Sequence, residues 1–241
     1  SHNVAVGYNA GVAVTTGTKN VFIGSLAGDA ITASGASVAV GYAALSTEDA
    51  HGGSTAIGSE ALTVQNAGAT SYNTAVGYQA GHDVTTGVEN TLIGGLAGDA
   101  LTDADYNVAV GKGALTADTL GSRSTAIGLN TLKVQNFTTA TNSDNVAVGY
   151  NAGVANTTGT VNTFIGSGAG GSNTDGLANT FVGHGSGNAV TTPDSNTAVG
   201  YFALGNSTPT TGGENVALGK SAGTAVTSGA NNALIGVDAG N

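Results

Sequence analysis

A five-residue pattern of one polar, three apolar and one glycine position recurs along the whole chain. Asn3-Val4-Ala5-Val6-Gly7, Ser54-Thr55-Ala56-Ile57-Gly58, Asn73-Thr74-Ala75-Val76-Gly77 and Asn162-Thr163-Phe164-Ile165-Gly166 are four of its copies. The closing glycines are Gly7, Gly24, Gly41, Gly58, Gly77, Gly94, Gly111, Gly128, Gly149, Gly166, Gly183, Gly200, Gly219 and Gly236, fourteen in all. They are separated by 17 residues, lengthened to 19, 21 and 19 at every fourth step. A short fixed period kept from end to end is the mark of a solenoid.

With each closing glycine as position 0, position −4 is Asn or Ser, −3 is Val or Thr with one Ala, −2 is Ala, Phe or Leu, and −1 is Val, Ile or Leu. Short β-branched runs of this kind predict a strand. The invariant glycine predicts a turn with positive φ or no room for a Cβ. Position +3 is Ala in twelve copies and +4 is Gly or Leu, which predicts a second, shorter strand with small inward residues. A polar return such as Val14-Thr15-Thr16-Gly17 leads to the next Asn. The expectation is an all-β, parallel β-solenoid of fourteen short coils, a rod about 65 Å long at the usual strand spacing. It forms one domain, residues 1–241, in four-coil blocks starting near 3, 73, 145 and 215, the last partial. Longer returns near Gln65–Tyr72, Gln135–Asp144 and Gly205–Gly213 are expected to protrude.

Alternate residues of a strand face opposite ways. Positions −3 and −1 make one apolar face and −2 the other, and a coil has one inside. Assigning −1 to the inside leaves the −2 row outside, to be covered by another copy of the chain. The predicted interface is then Ala5, Phe22, Ala39, Ala56, Ala75, Leu92, Ala109, Ala126, Ala147, Phe164, Phe181, Ala198, Ala217 and Leu234. Burying that row is worth roughly 17 kcal/mol per chain as an upper bound. Mostly Ala implies close approach, which suits a parallel homotrimer, with two-fold pairing the other arrangement the pattern allows. The Asn/Ser row at −4 is expected to be structural, its amides satisfying backbone groups.

Composition narrows the function. Forty-one glycines without a Gly-X-Y period, and with only two prolines, exclude collagen. There is no cysteine, so no disulfide framework. No apolar run approaches the length of a membrane helix, about 18 residues, so no membrane insertion of this segment is expected. The absence of methionine suggests a cut from a longer chain, and Ser1-His2 reads as a tag remnant. The net charge is −10, and Lys19, Lys112, Arg123, Lys133 and Lys220 are scattered, which argues against nucleic acid as a partner.

The candidate chemistry is sparse. Tyr8, Tyr42, Tyr78, Tyr150 and Tyr201 stand at +1, with His184, Lys112 and Lys220 at equivalent places. They are either an aromatic column able to stack on sugar rings or a cover lying flat over the next coil. Asp29, Asp99 and Asp238 sit in related Gly/Ala contexts, but calcium needs several converging oxygens, so a turn role is expected. His2, His51, His82 and His184 lack ligand spacing. No metal or cofactor is expected and no catalytic grouping stands out, so an enzyme is not expected. Thr-Thr pairs at Thr15, Thr85, Thr157 and Thr191 raise ice binding, which needs an uninterrupted Thr rank.

The Asn-(Val/Thr)-Ala-(Val/Ile)-Gly repeat resembles the head repeats of YadA-like trimeric autotransporter adhesins. Asn73–Ala80, Asn-Thr-Ala-Val-Gly-Tyr-Gln-Ala, is similar to repeats of phage tail-fibre proteins. The resemblance covers essentially the whole chain. It implies a trimer of left-handed parallel β-rolls, an extracellular place on a virion tail fibre or bacterial surface, and a fibre segment or adhesive head that presents a surface to host or matrix. The alternatives are a glycan-binding module using the tyrosines and long loops, and an ice-binding or filament-forming solenoid. Coils longer than those of the adhesin heads, and the missing anchor and stalk, leave ligand specificity outside what the resemblance implies.

Overall fold

The computed structural model describes residues 2–205 and 210–241. Ser1, and residues 206–209 of the third long return, lie outside them. Fourteen three-residue strands form one parallel sheet in chain order: Val4–Val6, Val21–Ile23, Val38–Val40, Thr55–Ile57, Thr74–Val76, Thr91–Ile93, Val108–Val110, Thr125–Ile127, Val146–Val148, Thr163–Ile165, Thr180–Val182, Thr197–Val199, Val216–Leu218 and Ala233–Ile235. Neighbours pair without offset, so Thr74 faces Thr91 and Phe164 faces Phe181. The described residues contain no helix. The protein is an all-β parallel solenoid.

The Asn row explains why the coils stack in this register. Asn90 accepts at Oδ1 from the Asn107 amide (2.9 Å) and donates from Nδ2 to the Ala104 carbonyl (2.8 Å), fourteen residues on in its own coil. Asn145 repeats this with Asn162 N (2.8 Å) and Gly159 O (2.7 Å). Each side chain thus ties its coil to the next and closes its own return. These amides are fully buried, and satisfying the backbone groups around them is what keeps such a core affordable. The expected structural role of the row holds.

The same ladder sets the parity of the strand, and here the expected faces are exchanged. Asn at −4 reaches inward, so −2 points inward as well and −3 and −1 point out. Phe22, Ala39, Ala56, Ala75, Leu92, Ala109, Ala126, Ala147, Phe164, Phe181, Ala198 and Ala217 are buried in the chain's own core. Ala5 and Leu234, on the end coils, are exposed and half-buried. The row read as an interface between copies is the solenoid's interior.

The arm after each glycine is also not a second strand. It is a stack of turns, with φ near +54° at Asn9 and +59° at Gly11 and the same signs in every coil. Left-handed residues at every second position cannot make a ladder strand. The small residues at +3 do face inward, as Ala27, Ala44 and Ala97 show. Packing then links −2 to +4. A Cβ on Gly28 would lie 2.5 Å from the Phe22 ring, and one on Gly98 would lie 2.7 Å from Leu92. Where −2 is Ala, +4 is free to carry the bulk, as in Ala39 with Leu45, Ala109 with Leu115 and Ala198 with Leu204. Ala147 keeps Gly153 because the Phe164 ring of the next coil covers it, 2.6 Å from where a Cβ would stand. This trading of volume, at close-packed density, generates the four-coil block.

The second long return folds onto the rod. Its Thr141–Asn142 pairs in parallel with Gly121–Ser122, and Phe137 is buried beneath it. Its tip, residues 138–140, stays exposed, as does 68–70 of the first.

Candidate functional surfaces

The largest chemical feature of the outside is the outward face of the long sheet. Its −1 row is apolar throughout, and Ile23, Ile57, Ile93, Ile127 and Ile165 are each 38–41 % exposed. The −3 row beside it is Val or Thr, with Ala233 the exception. Fourteen strands at the usual spacing carry this double stripe for about 62 Å. Larger or smaller residues alternate along it, Val6, Ile23, Val40, Ile57, Val76, Ile93, Val110 and Ile127, giving a corrugated surface. A continuous apolar stripe of this length is the surface soluble monomers avoid. The face that stays outside is the one carrying −1 and −3, the opposite of the face expected there.

The row of tyrosines is exposed: Tyr8, Tyr42, Tyr78, Tyr150 and Tyr201 range from 52 to 73 %. They stand on the first, third, fifth, ninth and twelfth coils, so the structure does not stack them on one another. Small residues, Ser25, Ser59, Gly95 and Ser167, occupy +1 on coils beside them. Tyr201 instead stacks on His184 at 5.4 Å and 18°, with Phe202 edge-on at 4.7 Å. Tyr72 and Tyr106, 62 % and 49 % exposed, are additional surface rings that escaped the sequence reading because they lie at −5.

Two polar networks lie inside the rod. Gln65 Nε2, with two hydrogens to donate, lies within hydrogen-bond distance of Glu48 Oε2 (3.0 Å), Ser54 Oγ (3.1 Å) and Ser71 Oγ (2.9 Å), and its Oε1 accepts from Asn73 Nδ2 (2.8 Å). One block later, Gln135 Nε2 donates to Asp118 Oδ2 (2.6 Å) and Ser124 Oγ (2.9 Å), and its Oε1 accepts from Asn145 Nδ2 (2.9 Å). Glu48, Gln65, Asp118 and Gln135 are all within 1 % of full burial. Removal from water pushes the Glu48 carboxyl above its ordinary range, against the lowering effect of its bonds to Gln65 and the His51 amide. The serines that interrupt the Asn row at −4, Ser54 and Ser124, make room for the glutamine amides. The repeated Leu-Xaa-Val-Gln-Asn string carried that signal.

Glu48, Asp49 and His51 bring ligand-type atoms within 4.8 Å of one another. Glu48, however, accepts from the His51 amide (3.2 Å) as well as from Gln65. Asp118 does the same in the later block, from Gly121 N (3.0 Å) and Gln135, with no histidine beside it. Both carboxylates act as turn anchors. Asp99 accepts from the Thr116 hydroxyl, and burial raises its carboxyl with a further push from Asp83. His82 pairs with Asp83 at 2.6 Å on the surface. Thr15, Thr85 and Thr157 donate their hydroxyls to carbonyls of the next coil, Thr32 (3.2 Å), Thr102 (3.1 Å) and Thr174 (2.9 Å). These hydroxyls brace the stack from coil to coil.

An open hollow of about 440 Å³ lies between the returns of the last coils, lined by Pro193, Asp194, Gly213, Glu214, Ala230 and Asn231. No family model matches the chain, and no curated protein and no solved structure matches it either.

Proposed function

We propose that the chain is a rigid segment of a surface fibre, of the phage tail-fibre or bacterial adhesin kind, in which copies pack side by side through the outward sheet face. The observation that carries this reading is the apolar −1 row, flanked by Val or Thr at −3, running the length of the rod. A face of −1 and −3 residues on fourteen strands has the extent of a permanent subunit interface rather than of a passing contact. Parallel in-register copies around a three-fold axis let equal layers of Val and Ile meet at each level. The role of such an assembly is mechanical reach, with attachment through whatever the fibre presents.

The test is mass in solution and linkage between copies. Light scattering behind a sizing column should give three chains per particle, and single cysteines at Val40 or Val76 should crosslink between chains at the same level. A particle of one chain at micromolar concentration contradicts the proposal.

The exposure of the tyrosines supports a second reading, a glycan-binding module. Saturation-transfer NMR against a panel of oligosaccharides should then show transfer that Tyr42→Ala and Tyr78→Ala remove. A bare shaft shows none.

A further inference from the structure

Among the described residues, the position seven after the closing glycine faces the core. It is apolar at Val14, Ile31, Val84, Leu101, Val190 and Val226 and polar at Glu48, Gln65, Asp118, Gln135, Asn156 and Asn173. Four of these six polar residues form two bonded pairs on consecutive coils, third with fourth and seventh with eighth, each an acid under a glutamine, while Asn156 bonds to the Gly159 carbonyl of its own coil. We infer that these pairs are register keys, which let the folding chain tell the correct neighbouring coil from one a period away.

The need for a key follows from the repeat itself. The glycine column and the Asn-rich ladder are nearly the same in every coil. A chain that loops out one coil, of 17 to 21 residues, keeps almost all of its strand pairing. The core does not forgive the slip. If the fourth coil is left out, the third lies on the fifth and Glu48 faces Val84 in place of Gln65. A buried acceptor then loses its donor, and burying a carboxylate without a partner is far more costly than burying a bonded one. A skip of a whole block instead sets Glu48 beneath Gln135, where the match survives. The keys therefore reject single-coil slips and are silent on four-coil ones. This inference does not depend on how copies associate.

The protein has no cysteine, so introduced pairs report register cleanly. Val38, Thr55 and Thr74 are consecutive partners across three strands. Thr55→Cys with Thr74→Cys lies at disulfide distance only in the native register. Val38→Cys with Thr74→Cys is about 9.6 Å apart natively, beyond bridging, and is brought together only by the slip. Each pair is placed in the native background and in Glu48→Leu/Gln65→Leu, which copies the apolar core of other coils. Unfolded chains are refolded under oxidising conditions, and intrachain disulfides are counted by mass spectrometry on a mixture of heavy- and light-isotope chains. The expected result is at least a fivefold rise in the 38–74 bridge in the leucine background, with a matching loss of 55–74. Unchanged yields of both bridges overturn the inference. Should that variant fail to refold, Asp118→Leu/Gln135→Leu with Val108→Cys and Val146→Cys repeats the test one block later. Failure of both to regain β-structure also overturns it, since the networks would then hold stability rather than register.

Discussion

Phe164 and Ile165 are neighbours in the chain and opposite in role, and replacing Phe164 by Ala separates the two assignments of the strand's faces. The Phe164 ring is fully buried and stacks on Phe181 with centroids 5.6 Å apart at 22°. Its flanks are Gly153 and Gly170, which have no side chains to fall into the space left behind. Truncation of a buried Phe costs about 4 kcal/mol and the lost ring pair about 1 more, so a loss near 5 kcal/mol is expected. A second change, Gly170→Leu, should not recover it. Leu204 beside Ala198 has Ala217 on the next coil, whereas Phe181 lies on the coil after Phe164, as Phe164 itself lies over Ala147 and Gly153. The double variant should therefore be no more stable than Phe164→Ala. Urea titrations followed by circular dichroism measure both. A loss under about 1 kcal/mol, or dissociation of copies with unchanged unfolding of each, would mean that the −2 row lies between chains after all.

Other consequences are equally specific. Asn162→Ala removes the acceptor for Asn179 N (2.9 Å) and the donor to Gly176 O (2.8 Å), leaving two buried backbone groups unpaired. About 2–5 kcal/mol of stability should go with them, read as a shift in the urea midpoint. Gly77→Ala sets a Cβ 2.6 Å from the carbonyl carbon of Gly94 at φ +140°, so it should cost about 3 kcal/mol or more and lower the yield of folded protein. For Glu48, whose carboxyl burial raises above its usual 4.5, the folded chain holds the proton to higher pH than the unfolded chain. Its contribution to stability is fully present below that value and is lost as pH rises through the raised one. Glu48→Gln should flatten this slope, so that urea midpoints at pH 4.5 and pH 7 differ less than in the parent; an unchanged slope refutes the assignment.

Much of the architecture was legible because a solenoid writes its period into the chain. The closing glycines, the parallel stacking and the structural Asn row all follow from fourteen aligned copies. The faces of the strand did not follow, because Val/Ile at −1 and Ala/Phe at −2 are both apolar and a three-residue strand has no polar side to break the tie. Two signals could have broken it. An Asn side chain that must reach its own return has to point inward, which carries −2 with it. Gly28 beside Phe22 and Leu45 beside Ala39 also show that −2 and +4 share one volume. The arm after the glycine was misjudged as a strand because Gly, Ala and Leu say little about φ at +2, where Glu60, Gln79 and Leu96 all adopt φ above +50°. Of the surface candidates, the tyrosines are exposed, where the spacing had left an aromatic column and a flat cover both open. The buried acids were hidden because position +7 is apolar and polar about equally often, so no fixed pattern marks it as inward.

The outward stripe gives the account its sharpest exposure to failure. Sedimentation equilibrium of the parent chain and of Ile57→Asp/Ile93→Asp compares a surface that should be covered with one that cannot be. The account predicts three chains per particle for the parent and single, still-folded chains for the variant. A parent that sediments as one chain, or a variant that stays associated, contradicts it.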